Sequence, residues 1–276
     1  MSNIEPFIRW AGGKTWFLEQ FAATISNIDI RNYYEPFLGG GSVFFSLESY
    51  KHAYLTDINS DLINAYIQIR DNPQELILKF QSFENSEQQY YHIRQTEFTS
   101  EIDKAAQFIY LNQTSYNGLY RVNKNGNYNV PYGFRENWTY NIERILTANQ
   151  KLQGVRLKCC DFKEYKYRIQ RNDLVFLDPP YTVSHNNNGF IEYNKNLFSL
   201  NDQYRLRSFI DYIRNKGAYY ILTNAAHPKI EEIFKIDGDR MVELCRNSLI
   251  GGKNSKRGKI TEYMFTNIHE GVNHDE

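Results

Sequence analysis

The sequence predicts an α/β protein built on an open, mostly parallel sheet, with a mainly helical module inserted into it. Short β-branched or aromatic runs bounded by turn residues recur along the chain and read as strands. Helical periodicity lies between them, and such alternation places helices on both faces of a mostly parallel sheet. The alternation breaks once, between Asp57 and Val155. Ordinary βα and αβ loops run about 2–6 residues, so a stretch this long is an inserted module.

The first strand is expected over Asn32–Pro36 and the second over Ala53–Asp57. Ser60 then stands where a helix cap is needed, and Leu62, Ile63, Tyr66 and Ile67 share one helical face. Inside the inserted stretch the pattern predicts helices over 61–70, 73–83, 87–98 and 103–112. Tyr116–Trp138, rich in Asn, Gly, Tyr and Pro, reads as an ordered polar loop or hairpin. Strands resume at Val155–Cys160 and Leu174–Asp178. Ser199 and Asp202 form a capping-box pattern ahead of Leu206, Phe209, Ile210 and Ile213. The last strands are Ala218–Thr223, Met241–Cys245 and Thr261–Thr266. Residues 1–60 and 151–276 thus form one expected domain and 61–150 a second one inserted into it.

Composition narrows the function classes. The 276 residues are 41% hydrophobic and 23% charged, enough for a core and too apolar for disorder. Thirty-two basic residues balance thirty-two acidic ones, so no global positive field marks a nucleic-acid binder. No apolar run approaches the roughly 20 residues that span a bilayer, and no basic-then-apolar leader follows Met1. The three cysteines include an adjacent pair and no C-x-x-C, and the six histidines lack metal-ligand spacing. The expectation is a soluble, cytoplasmic, metal-free protein. The 22 Tyr and 18 Phe suit base stacking or core packing.

Three constellations carry chemistry. Glu35-Pro36-Phe37-Leu38-Gly39-Gly40-Gly41-Ser42 follows the first strand, where glycines let the backbone approach a ligand and expose helix N-terminal amides. Its spacing is not G-x-G-x-x-G, so a pyrophosphate cradle is poorly supported. Asp57 ends the next strand, where open α/β folds bind ribose hydroxyls. Together they point to an adenosine-type cofactor, and a nicotinamide dinucleotide stays open at this point. Asp178-Pro179-Pro180-Tyr181 follows the apolar strand Leu174–Leu177. Two prolines make the exit from the sheet rigid and remove backbone donors. A carboxylate and a proline carbonyl can each accept one N–H of an exocyclic amine while the tyrosine stacks on its base. That geometry localises the amine lone pair toward an electrophile.

These motifs, with Arg9-Trp10-Ala11-Gly12-Gly13-Lys14, Tyr116-Asn117-Gly118-Leu119-Tyr120-Arg121, Asn129-Val130-Pro131-Tyr132-Gly133 and Arg257-Gly258-Lys259-Ile260-Thr261-Glu262, stand in a telling order. The chain resembles the DNA adenine-N6 methyltransferases of the Dam type (D12 class, alpha group), which include methylases of type II restriction–modification systems. The resemblance spans roughly residues 7–268. It implies a Rossmann-like S-adenosylmethionine-dependent fold, with 61–150 as a target-recognition domain for double-stranded DNA. It places Trp10, Lys14, Phe37, Gly39, Asp57, Asp161, Phe162 and Asp178 around S-adenosyl-L-methionine. Asp57 would take the ribose hydroxyls and Asp161 the cofactor's adenine amine. Asp178, Pro179 and Tyr181 would be catalytic.

Arg9, Tyr116, Asn117, Leu119, Arg121, Pro131, Lys256 and Arg257 would face DNA, Arg121 being suited to a guanine and Tyr116 to a gap left by an extruded base. Relatives often have Lys at the position of Arg9, and a basic, aromatic stretch where this chain reads Phe134-Arg135-Glu136-Asn137. The reaction implied is direct methyl transfer to N6 of an extruded adenine, GATC or a word containing it being the leading target. Transfer to cytosine N4 or to an RNA amine stays open. The absence of a Pro-Cys pair argues against the covalent route to cytosine C5. A non-catalytic DNA-binding module would not call for Asp178 and Tyr181. A monomer is expected; a place beside a restriction nuclease without stable binding, mismatch marking and phage defence all stay open. The loop 182–198, with Phe190 and Tyr193, either closes over the base or is plain surface.

Overall fold

The computed structural model describes residues 4–123, 125–134, 139–181, 198–247 and 259–269. Among the described residues there are seven strands, each overlapping one of the seven predicted: β1 (Asn32–Glu35), β2 (His52–Asp57), β3 (Arg156–Cys159), β4 (Leu174–Leu177), β5 (Tyr219–Ala225), β6 (Arg240–Asn247) and β7 (Lys259–Thr266). They form one mostly parallel sheet in the order β3-β2-β1-β4-β5-β7-β6. β4 runs parallel to both β1 and β5, whereas β7 lies antiparallel between β5 and β6. The order reverses between β1 and β4, and open sheets take ligands beyond the carboxyl ends of strands at such a point.

The described helices are α1 (Leu18–Ile25), α2 (Ser42–Ser46), α3 (Ser60–Asp71), α4 (Pro73–Gln81), α5 (Glu87–Gln95), α6 (Glu101–Thr114), α7 (Ile142–Leu152), α8 (Leu200–Asn215) and α9 (Pro228–Phe234). By internal contacts the chain divides into two compact units, Met1–Leu18 with Leu38–Glu48 and Leu55–Cys160, and Glu19–Phe37 with Ser49–Tyr54 and Asp161–Glu276.

In the first unit, α3 buries Leu62, Ile63, Ala65, Tyr66 and Ile69 and packs on α6 and α7. The expected cap is corrected: Asn59, still extended, accepts the Leu62 amide at 3.0 Å, whereas Ser60 already lies inside the helix. The four predicted helices appear as α3 to α6. The unpredicted α7 buries little beyond Ile145, Ala148 and Leu152 at helical spacing. A second cluster gathers Tyr90, Ile93, Tyr110, Leu111 and Tyr132 beside the 116–134 segment. That segment is a hairpin-like loop with antiparallel bridges Ser115–Tyr132 and Val122–Tyr128.

In the second unit, the core of Val175, Leu177, Tyr220, Leu222 and Phe265 is covered by Leu206, Phe209, Ile210 and Ile213 of α8. The Ser199–Asp202 capping box starts that helix as predicted. Arg31, just before β1, grips the fully buried Asp173, just before β4, through Nε at 2.8 Å and Nη2 at 2.9 Å. Fixing the entry of both strands also fixes where their carboxyl ends emerge.

Candidate active site and DNA-facing surface

In the first unit, β2 ends in Asp57. Its carboxylate accepts the Gly39 amide at 3.0 Å and the Asn59 amide at 3.0 Å, tying the glycine turn to the strand end. Gly39 has φ +48°, and a Cβ there would lie 2.7 Å from Cδ1 of Trp10, so the backbone must stay bare against the indole. Gly41, at φ +68°, opens α2. Trp10 stacks on Tyr120 with ring centroids 5.5 Å apart, and the buried Lys14 ammonium donates to the Gly12 carbonyl at 3.1 Å. Burial pushes the Asp57 carboxyl above its ordinary range, opposed by the amides of Asn59, Gly39 and Ile58.

The same unit carries most of the residues expected to face DNA. Tyr116, Asn117, Arg121 and Pro131 are exposed, Arg9 and Leu119 half-buried. Asn117 adopts φ +54°, and Gly118 follows at φ +63°, where a Cβ would strike the Arg9 side chain at 2.6 Å. The fully buried Asn112 of α6 binds this corner together. Its amide donates to the carbonyls of Arg9 (2.7 Å) and Gly118 (3.2 Å) and accepts the Arg9 amide at 2.8 Å. Arg121 donates through Nε to Asn129 Oδ1 at 2.7 Å and through Nη2 to the Asn129 carbonyl at 3.2 Å. Lys256 and Arg257 lie outside the described residues, as does the stretch 182–197.

In the second unit, β4 delivers Asp178 at its carboxyl end, followed by buried Pro179 and exposed Pro180. Asp178 Oδ1 accepts the hydroxyl of Thr223, fully buried on the neighbouring β5, at 2.7 Å. The Tyr181 hydroxyl donates to Glu262, whose other oxygen takes Arg246 Nε at 2.7 Å. Burial first, then the charges of Asp178 and Glu262, raise the Tyr181 phenol well above its ordinary range, so it stays a neutral donor. Phe37 and Phe162 stack at 5.4 Å. Asp161 pairs with Arg205 at 2.8 Å, and the Arg205 guanidinium lies 4.9 Å from the centre of the Phe162 ring. An acid at the end of β4, rigid prolines and a neutral phenol make a corner able to hold an amine-bearing base.

Comparison with known proteins agrees with this chemistry. The profile of D12 class N6 adenine-specific DNA methyltransferases matches residues 10–244. The chain belongs to that class. It is 35% identical to the type II methyltransferase M1.LlaDCHI of Lactococcus lactis subsp. cremoris, over 96% of this chain and 96% of the relative. Identity to the type II methyltransferase M.MjaIII of Methanocaldococcus jannaschii is 31%, over 92% and 96%. The DNA adenine methylase of Vibrio cholerae is 27% identical, over 96% of each chain.

As a D12 class enzyme the chain uses S-adenosylmethionine on DNA, and its sheet is Rossmann-like. Taken unit by unit, the residues suit such a cofactor: the first unit offers a carboxylate with acceptor capacity at a strand end and a glycine turn that must stay bare, and the second offers stacked rings beside an acid. Among the described residues no group of His, Cys, Asp or Glu is placed to hold a metal ion, and no helix is long and apolar enough to cross a membrane. Sequence reasoning missed Thr223, Asn112, Asn129 and Arg205 as supports of this class's motifs. A polar residue inside an apolar strand run, as in Ile221-Leu222-Thr223, was the available signal for the first.

Proposed function

We propose that this enzyme methylates adenine N6 within a short duplex word, GATC or one containing it, after extruding the target nucleotide. N6 is paired inside a duplex, so direct transfer requires the base to leave the helix. The observation that carries the reading is the Asp178 carboxylate, fixed by the Thr223 hydroxyl at 2.7 Å beside rigid prolines and Tyr181. Bound S-adenosylmethionine supplies an electrophilic methyl group.

The chain's residues supply placement. One Asp178 oxygen and the Pro179 carbonyl each accept a hydrogen bond from one N6 N–H, which turns the nitrogen lone pair out of the purine plane toward the electrophile. Tyr181 stacks on the ring. Trp10, Lys14, Phe37, Gly39, Asp57, Asp161 and Phe162 hold the cofactor, Asp57 taking its ribose hydroxyls.

Residues 61–150 serve as the target-recognition domain, with Arg9, Tyr116, Asn117, Leu119, Arg121 and Pro131 on DNA, joined by Lys256 and Arg257. The arrangement at Arg121 supports a guanine contact. Asn129 occupies the Nε edge of the guanidinium, and the Nη1–Nη2 end keeps N–H donors directed away from Asn129. The enzyme acts as a monomer in the cytoplasm, alongside a restriction nuclease without stable binding. Long-read mapping of modified adenines in a host expressing the chain tests the proposal. Methylation confined to GATC-containing words is expected; modified cytosines, or none but host marks, would overturn it.

A further inference from the structure

The Arg257–Glu262 motif ends on a residue to which the reading above gives no role. Glu262 lies on β7, paired with Ala225 of β5 and Leu244 of β6, and its side chain is 1% exposed. One carboxylate oxygen accepts the Tyr181 hydroxyl and the other Arg246 Nε, from a side chain 18% exposed on β6. Burying an ion pair of this kind costs desolvation that hydrophobic packing would avoid, so stability alone is a poor reason for it. Geometry is a better one. A phenol ring turns about two side-chain torsions: anchoring the oxygen at its far end fixes the first, and because a phenol O–H prefers the plane of its ring, aiming it at one carboxylate oxygen biases the second. At the near end Pro179 and Pro180 already stiffen the backbone. The ring is therefore held in place before any base arrives, which removes an ordering cost from the reacting complex.

We propose that Glu262, clamped by Arg246, is a positioning residue that holds the Tyr181 ring at the angle where the extruded base stacks. This rests on the stacking role given to Tyr181. The test compares kcat, KM and the thermal unfolding midpoint of the full chain on a one-site duplex for Tyr181→Phe, Glu262→Gln, their double variant and Tyr181→Ala. Tyr181→Phe keeps the stacking face and loses only the anchor, and kcat should fall about 10–100-fold with the KM for S-adenosylmethionine and the unfolding midpoint nearly unchanged. Glu262→Gln should lower kcat similarly, and the double variant should be no worse than the poorer single.

Full kcat in Tyr181→Phe, or losses that multiply in the double variant, would overturn the inference. Should Glu262→Gln fail to fold, Tyr181→Phe still decides. A Tyr181→Ala enzyme that turns over normally removes the stacking role itself. Loss in Tyr181→Ala beside full activity in Tyr181→Phe removes only the positioning by Glu262.

Discussion

Asp57 illustrates how a single side chain sets a measurable dependence on pH. Burial raises its carboxyl, and three backbone amides limit the rise. Because the folded value is the higher one, the group's own contribution to stability is full below its unfolded pKa and is lost as pH rises through the folded pKa. In the role proposed for Asp57, ribose hydroxyls donate to the ionised form, so cofactor affinity is expected to show the opposite trend. Titrating S-adenosylmethionine by calorimetry from neutral pH downward should show affinity falling, about tenfold per pH unit, from a pH above the ordinary carboxylate range. Asp57→Asn should flatten the profile. A wild-type affinity unchanged down to that ordinary range would contradict the role. Asp57 and Asp178 were legible because each sits where a strand run ends, a position chain order alone reveals. Thr223 and Asn112 were not, because each acts on residues distant in sequence, Thr223 on Asp178 and Asn112 on Arg9.

At the scale of elements, strands were readable because short β-branched or aromatic runs bounded by turn residues are too brief for a helix of ordinary length. Helices α3 to α6 were readable from their repeating apolar face, and α7 was not, since it buries only three positions among polar ones. The cap of α3 was misplaced by one residue because Asn59 and Ser60 are both good caps and only backbone geometry separates them.

The 116–134 hairpin was seen as ordered from composition, but not how it is held. The Tyr90 hydroxyl (2.8 Å) and Arg94 (3.1 Å), both of α5, donate to the Val130 carbonyl, and Asn112 fixes its first turn. On the proposed reading, a hairpin held this way makes Arg121 a reader of one base pair rather than a roaming cation. Arg121→Ala should relax discrimination at a single G·C pair by about 1–3 kcal/mol, measured as kcat/KM on duplexes substituted one position at a time. A uniform loss across all sequences would make Arg121 a phosphate contact instead.

The molecule as a whole carries no net charge, so association with DNA has to come from local groups rather than an overall field. Its sheet was legible in outline because strand–helix alternation already dictates a mostly parallel arrangement. The exchange of order that puts β7 between β5 and β6 was not, since hydrophobic pattern does not encode which edge a late strand joins. All of this architecture converges on the proposal that Asp178 holds the amine to be methylated.

The most direct measurement is methyl incorporation into a one-site duplex by Asp178→Ala, with S-adenosylmethionine binding followed by calorimetry on the same preparation. Loss of turnover by at least about a hundredfold is expected, with cofactor affinity changed by no more than roughly tenfold. Turnover close to that of the unmodified enzyme would contradict the account.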